Sequence, residues 1–467
     1  MNAIRLTGSW VAEAMGGALV SGDGAREFAG VSIDSRTLVV GELYIAVRGA
    51  RLDGVDFVPA AIAAGAGGVV VPRGRGRTAV GRAATAIEVD DTVVGLQALA
   101  NRVRRASGAR VVAITGSAGK TTTKEITAEL LAARYQVIRN RGNFNNHIGL
   151  PLSLIELRQR PEIAVVELGM NHTGEISTLV RIAEPDVRVW TNVGEAHLEF
   201  FGSLDEIADA KAEILEGAAA STVLVANADD DRIAARLPSF AGRVVTFGVS
   251  RPAAVHASNV VDRGIEGTSA TVSTPRGTVE ISTPLVGRGN LANVLAAVAV
   301  ASEWDVPLDA IAQRAQALRP AAHRGQVVKL SNGVTVIDDS YNANPTATRQ
   351  ALDLLSGEPT AVRRVAVLGE MLELGASAHA LHEAVGRHAA AVRIDVLLAV
   401  GGDAASALAR AAVAAGLAPE QVRCFATSDD AADAAWTLVG PGDVVLVKGS
   451  RGVRTDRVVD RLTAGRL

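Results

Sequence analysis

An apolar run at residues 111–114 breaks into Thr115-Gly-Ser-Ala-Gly-Lys-Thr121 and then into further hydroxyls. Residues of these types at this spacing can cradle a triphosphate. Gly116 and Gly119, with Ser117 and Ala118 between them, let backbone N–H groups approach phosphate oxygens. Lys120 supplies a point charge, and the Thr121 hydroxyl, followed by Thr122, can hold Mg2+. The run before the turn reads as a buried parallel strand. The stretch from Thr121, with Ile126 and Leu130 on one face, reads as the helix whose positive end meets the anion. The two glycines are three residues apart, whereas the general G-x-x-x-x-G-K-[ST] pattern sets them five apart, so the loop is contracted.

Other chemistry-bearing residues recur at predicted strand ends. Glu167 closes the apolar run 163–166, and in an open parallel sheet the carboxyl ends of strands border the ligand crevice, so its carboxylate is a candidate metal ligand. His197 follows the next strand-like stretch and is a further candidate. Lys211 is less obvious. Ser203 and Glu206 form a capping-box pattern, and Leu204, Ile207, Ala208, Ile214 and Leu215 share a helical face on which Lys211 also falls. Burial there would leave a neutral amine able to react with carbon dioxide; the alternative is a lysine that snorkels to solvent.

Asn143, Asn145 and Asn146 crowd one loop, where neutral amides suit a polar or phosphorylated substrate or simply shape a turn. Asn290 and Asn293 open a helix after Gly287 and Gly289, where they could read an adenine edge or cap the helix. Arg324 precedes Asp338, Asp339 and the run Ser340-Tyr-Asn-Ala-Asn-Pro345. Acidic groups at a strand end accept ribose hydroxyls, and an arginine steadies a transferring phosphoryl group. Lys448-Gly-Ser-Arg451 ends another strand-like run and could bind a carboxylate.

The elements that must position these groups are those of a three-domain α/β chain, in keeping with 467 residues. Residues 1–84 carry short apolar runs at 43–47 and 67–71 and read as a small α/β domain. Residues 85–320 begin with a helix at 93–105 and alternate strands with helices around the phosphate loop, with a polar, antiparallel-looking section at 255–284. Residues 321–467, with strand-like runs at 334–337, 365–368, 396–400 and 444–447, read as a Rossmann-like unit. Apolar residues make up 48% of the chain, yet no run approaches the ~20 that a membrane span needs, and residues 1–30 show no signal-peptide pattern, so a cytoplasmic address is expected. A net charge of -3 and 3% aromatic residues argue against a nucleic-acid surface, and the Arg73, Arg75, Arg77 and Arg82 cluster reads as a solvated loop. Cys424 is the sole cysteine, which excludes a disulfide or thiolate metal site within the chain and is expected to be a buried, inert thiol.

Taken together, Thr115-Gly-Ser-Ala-Gly-Lys-Thr121, Glu167-Leu-Gly-Met-Asn171, Glu195-Ala-His-Leu-Glu199, Asp209-Ala-Lys-Ala-Glu213 and Asp338-Asp-Ser-Tyr-Asn-Ala-Asn-Pro345 resemble the Mur ligase family across all three domains. The stretches Gly142-Asn-Phe-Asn-Asn146, His197-Leu-Glu-Phe-Phe-Gly-Ser203, Leu368-Gly-Glu-Met-Leu-Glu-Leu-Gly375 and Lys448-Gly-Ser-Arg451 are similar to members that join D-alanyl-D-alanine to UDP-N-acetylmuramoyl-tripeptide. The resemblance implies a UDP-sugar domain, an ATPase domain and a domain that brings the amine. It implies that the uridine diphosphate end is held by the region of Ser35, Arg36 and Asp53. Lys120 would meet phosphate, and Thr121, Glu167, His197 and a carbamylated Lys211 would meet Mg2+. Asn290 and Asn293 would contact adenine, and Arg324 with Asp339 the phosphate and ribose. Asn143, Asn145, Asn146, Tyr341, Asn342, Asn344, Lys448, Ser450 and Arg451 would serve the substrates. The implied chemistry is carboxylate activation by ATP to an acyl phosphate, then attack by the dipeptide amine, in a chain expected to be a monomer.

The sequence departs from the family's pattern in places: Gly289 stands where a histidine is usual, Glu370 replaces an aspartate, and Thr455-Asp456 replaces Met-Glu. The rivals are a sister ligase adding a single amino acid, a folylpolyglutamate synthase, and a nucleotide switch that hydrolyses ATP only to change shape. The Asp-Asn-Pro-Arg type motif of the lysine or diaminopimelate adders is absent from the last domain.

Overall fold

The computed structural model describes residues 3–49, 51–76, 85–140 and 142–465. Arg77 and Arg82 and the expected domain boundary at residue 84 lie outside the described residues; Arg73 and Arg75 are exposed, as a solvated loop requires. The chain forms two compact units. The first contains residues 1–114, 135–188 and 213–222, and the second 115–134, 189–212 and 223–467.

In the first unit, five strands lie in the order Ala18–Ser21, Thr85–Val89, Gly68–Pro72, Leu43–Ile45, Val31–Ser32, the first pair antiparallel and the rest parallel. The helix Thr92–Ser107 is built as its sequence dictates. The Asp91 side chain accepts from the N–H groups of Val93 and Val94, Leu96, Leu99, Ala100 and Val103 form its buried stripe, and Gly108 ends it at φ 71°. Each such leucine or valine, taken fully from water, contributes about 1.5–3 kcal/mol. Strand Ile163–Glu167 pairs in parallel with both Val137–Arg139 and Arg110–Thr115, placing Glu167 opposite Ile114, one residue before the glycine-rich turn begins. Buried Arg188, at the start of strand Val187–Trp190, donates to the carbonyls of Ile214 and Glu216; desolvation pulls its guanidinium down to about 10.

In the second unit, the expected helix after the glycine turn runs Lys120–Leu131, and it packs against Arg288–Glu303, whose buried residues occupy nearly its whole circumference. Strands Val255–Asp262, Thr268–Thr274 and Gly277–Thr283 are antiparallel, as their Ser/Thr alternation suggests. The helix begun by the Ser203–Glu206 pattern is α-helical over Leu204–Ala212 and tightens to a 3-10 turn at Glu213–Leu215. A six-stranded sheet runs Gln326–Lys329, Thr335–Asp339, Val444–Lys448, Arg364–Gly369, Val396–Val400, Val422–Phe425, parallel except for its first pair. Gly386 allows helix Ala378–Ala391 to lie close on Asp403–Ala414, since a Cβ there would stand 2.1 Å from the Leu408 carbonyl oxygen.

Cys424 departs from expectation. It is exposed, because Val422–Phe425 is the edge strand of that sheet, and an apolar run does not reveal whether a strand is central or at an edge. Partial desolvation raises its thiol above the ordinary value. Among the described residues no helix is long and apolar enough to cross a membrane.

Candidate active site

The glycine-rich turn is fixed from outside by the segment 191–194. The Thr191 hydroxyl donates to the Ala118 carbonyl (2.8 Å), Asn192 accepts from the Ala118 N–H (2.8 Å) and donates to its carbonyl (3.0 Å), and the Ser117 hydroxyl donates to the Gly194 carbonyl (3.1 Å). Asn227 in turn donates to the Thr191 carbonyl at 2.8 Å. Local spacing gives no sign of these braces; only the polar Thr191-Asn192 pair after an apolar strand could have pointed to them. Lys120 Nζ donates to the Gly116 carbonyl at 2.8 Å, folded back over the turn that it would share with an anion.

Gly116 (φ 151°) and Gly119 (φ 78°) are required to be glycine. A Cβ on the first would stand 1.9 Å from Thr191 Oγ1 and on the second 2.4 Å from Asn293 Oδ1. Gly119→Ala therefore adds left-handed strain of about 1–2 kcal/mol to a clash at the phosphate turn. It is expected to remove detectable ATP binding in calorimetry while far-ultraviolet circular dichroism stays unchanged; unaltered affinity would separate the turn from the nucleotide.

Asn293 does not cap its helix. The N-cap position is Gly287, and Asn293 lies inside the helix, buried, accepting from the Thr123 hydroxyl at 3.1 Å and donating to Asn290 Oδ1 at 3.2 Å. Asn290 donates to the Val286 carbonyl at 2.9 Å. The asparagine pair thus ties the start of this helix to the helix after the phosphate turn.

Lys211 is 1% exposed, so it does not snorkel. Burial holds its ammonium well below the ordinary value, and the charge of Lys120 pushes it further the same way. Thr121 is the second residue of helix Lys120–Leu131, and His197 stands in the loop after Trp190 with φ 61°. His197 Nδ1 meets Glu373 Oε2 at 2.6 Å, and this contact holds the Glu373 carboxyl below its ordinary range. Glu195 in the same loop pairs with Arg349 (2.9 Å) and accepts from the Thr346 hydroxyl (2.7 Å). Among the described residues no cluster of three or more His, Cys, Asp and Glu side chains is placed to hold a metal ion.

In the first unit, Glu167 is 4% exposed and accepts from Asn145 Nδ2 at 2.7 Å; Asn146 accepts from the Gly149 N–H at 2.8 Å, and Asn143 is exposed. Asp34 and Arg36 form a two-pronged ion pair (2.9 and 2.7 Å) that lowers the Asp34 carboxyl to about 2. Ser35 lies between them, half-buried, and Asp53 caps the 3-10 turn Gly54–Phe57.

The last third of the second unit gathers its own cluster. The Arg324 and Arg451 guanidinium carbons lie 4.0 and 5.4 Å from the centre of the Tyr341 ring, a cation–π arrangement. Lys448, 3% exposed, donates to Asp339 Oδ2 at 2.6 Å and to the Asn342 carbonyl at 3.0 Å, so it holds the 339–342 turn from within. Asp338 is bound by His323 (2.8 Å) and by the Ser340 hydroxyl (2.6 Å). Asn344 caps Pro345–Ser356, and the Ser450 hydroxyl accepts from the Leu372 N–H at 2.9 Å.

The contracted glycine-rich turn, the buried Lys211 and the mostly parallel six-stranded sheet set the arrangement against which known proteins are compared. Three family models match in succession: the Mur ligase family catalytic domain over residues 27–139, the Mur ligase middle domain over 114–301, and the Mur ligase glutamate ligase domain over 323–451. The UDP-N-acetylmuramoyl-tripeptide–D-alanyl-D-alanine ligase of Mycobacterium bovis is 37% identical, covering 99% of this chain and 98% of that protein. The crystal structure of MurF from Acinetobacter baumannii superposes with a TM-score of 0.89 at 30% identity over 99% of this chain and all of that one. MurF from Thermotoga maritima, in complex with ADP, gives 0.82 at 28% identity over 93% and 97%. The chain belongs to the Mur ligase family and has its three-domain α/β fold.

Proposed function

We propose that the chain joins D-alanyl-D-alanine to UDP-N-acetylmuramoyl-tripeptide, with ATP converted to ADP and phosphate, in cytoplasmic peptidoglycan precursor synthesis. Nearly full-length similarity to ligases of that activity carries the proposal, and the site geometry agrees with its chemistry. Residues 1–84 would take the UDP-sugar through Ser35, Arg36 and Asp53, residues 85–320 the ATP, and residues 321–467 the amine.

A carboxylate is a poor acyl donor; taking the γ-phosphoryl group of ATP makes it an acyl phosphate, whose phosphate leaves when the dipeptide amine attacks. The chain's part is to bind, neutralise and exclude water. The backbone N–H groups between Gly116 and Lys120 would hold the phosphates, Lys120 would offset the charge spreading over the transferring group, and Arg324 would steady it from the other lobe. The Asn290–Asn293 pair would meet adenine and Asp339 the ribose. Arg451, free of the buried pairing that occupies Lys448, would face the dipeptide carboxylate beside Tyr341, Asn342 and Asn344.

The residues present suit Mg2+ on one condition. It prefers oxygen donors; in the second unit Thr121 would offer one, and His197 and a bare Lys211 amine do not complete an oxygen set. Burial favours the uncharged amine of Lys211, and that form can add carbon dioxide, forming an N–C bond and releasing one proton, which turns it into a carbamate with two oxygens. Mg2+ so held would neutralise repulsion between the two anionic substrates.

The test is phosphate release measured with UDP-N-acetylmuramoyl-tripeptide, with D-alanyl-D-alanine, and with both. Sustained release only with both supports the ligase. Equal release with neither would favour the nucleotide switch, and release with single amino acids in place of the dipeptide would favour a sister ligase.

A further inference from the structure

The loop that carries His197 is gripped from two sides by the C-terminal sheet region. On one side Thr346 and Arg349, on helix Pro345–Ser356, hold Glu195. On the other, Glu373 takes His197 Nδ1 at 2.6 Å with its side chain and the Glu199 N–H at 2.9 Å with its backbone carbonyl. His197 and Glu373 both have left-handed backbones, at φ 61° and 63°. Such conformations cost free energy for residues with a Cβ and persist where the surroundings over-determine them.

The segment that presents Glu373 is itself pinned. The Met371 N–H donates to His382 Nε2 (2.9 Å), the Leu372 N–H to the Ser450 hydroxyl (2.9 Å), and the Ser450 N–H to the Glu370 carbonyl (3.2 Å). His382 is fully buried and its Nδ1 meets the Ala378 carbonyl at 2.7 Å. A carbonyl can only accept and an N–H can only donate, so His382 is the Nδ1–H tautomer, a fixed strut beneath the loop. The Glu373 carboxylate, which also can only accept, imposes the same logic on His197: the proton sits on Nδ1 and the lone pair on Nε2.

We propose that Glu373 is the positioning residue of His197. From the C-terminal sheet region, it selects the tautomer and ring orientation that leave Nε2 as the donor for the cation. The proposal rests on the reading of His197 as a metal ligand. Outer carboxylate partners of ligating histidines act in this way generally, and their loss weakens metal binding about 10–100-fold.

The test is nitrogen-15 NMR of the histidine side chains of the full chain, without nucleotide, for wild type, Glu373→Ala and Glu373→Gln, with His197→Gln used to assign the signal. The expected result is an Nδ1–H tautomer in wild type, retained in Glu373→Gln, whose amide oxygen still accepts, and lost toward Nε2–H in Glu373→Ala. Mn2+ with a non-hydrolysable ATP analogue should broaden the His197 signal in wild type and bind about tenfold more weakly to Glu373→Ala. An unchanged tautomer and unchanged Mn2+ affinity in Glu373→Ala would overturn the proposal. Absence of broadening in wild type, with the tautomer shift still present, would instead overturn the ligand role of His197.

Discussion

Replacing Lys120 with alanine is expected to lower ligation by about a hundredfold or more, the usual size of a lost contact to developing charge, with melting essentially unchanged. The two halves of that expectation have separate causes. Lys120 is half-buried at the mouth of the glycine-rich turn and donates to the Gly116 carbonyl, a modest hydrogen bond for the fold to lose. On the proposed function the reaction would lose a cation beside the transferring group, and Lys211 would lose the charge that, after burial, lowers its ammonium further below the ordinary value. Steady-state phosphate release alongside a thermal melt checks both halves. Near-normal turnover with an unchanged melt would take the phosphate site away from this loop.

Lys211→Ala should be nearly inactive, again by about a hundredfold or more, and should recover measurably when acetate or another short carboxylate is added in bicarbonate buffer. The side chain is 1% exposed, and desolvation, with Lys120 second, lowers its amine well below 10.5. A carbamate turns that amine into a paired anion, and a small free carboxylate can occupy the space left by its removal. Lys211→Met separates packing from chemistry, because it fills nearly the same volume without the amine. That variant should melt no lower than the unmodified protein and remain inactive. The sign with pH follows from linkage. Unfolded Lys211 keeps its proton up to 10.5 while the folded amine releases it lower, so stability rises with pH across that interval in the carbon-dioxide-free chain and stays flatter in Lys211→Met. Full activity in Lys211→Ala would make the residue a packing element only.

What the sequence made legible was local. The phosphate turn shows itself because glycines, a lysine and hydroxyls must lie within seven residues, 115–121, between a strand and a helix, and the folded chain keeps that order. Lys211 could be placed on an inward face because helical periodicity carries that information, although periodicity alone did not decide between burial and snorkelling. What was not legible is long-range. The Glu373–His197 contact joins residues 176 apart, and the Asn293–Thr123 contact joins residues 170 apart; no spacing rule reaches them. Lys448 was read as a group that could bind a carboxylate, and its contact to Asp339, 109 residues away, likewise lies beyond any spacing rule. Cys424 was misplaced for a related reason: burial of a short strand depends on which neighbours flank it, a property of the sheet order and not of the strand.

The central claim, that ATP activates a carboxylate which an amine then attacks, is tested most directly by oxygen labelling. UDP-N-acetylmuramoyl-tripeptide carrying oxygen-18 in its terminal carboxylate is turned over with ATP and D-alanyl-D-alanine, and the released phosphate is examined by mass spectrometry. One labelled oxygen is expected in each phosphate, with a pentapeptide product that keeps the other. Phosphate released without label while ATP is consumed would mean that water, not the carboxylate, receives the phosphoryl group, and would contradict the account.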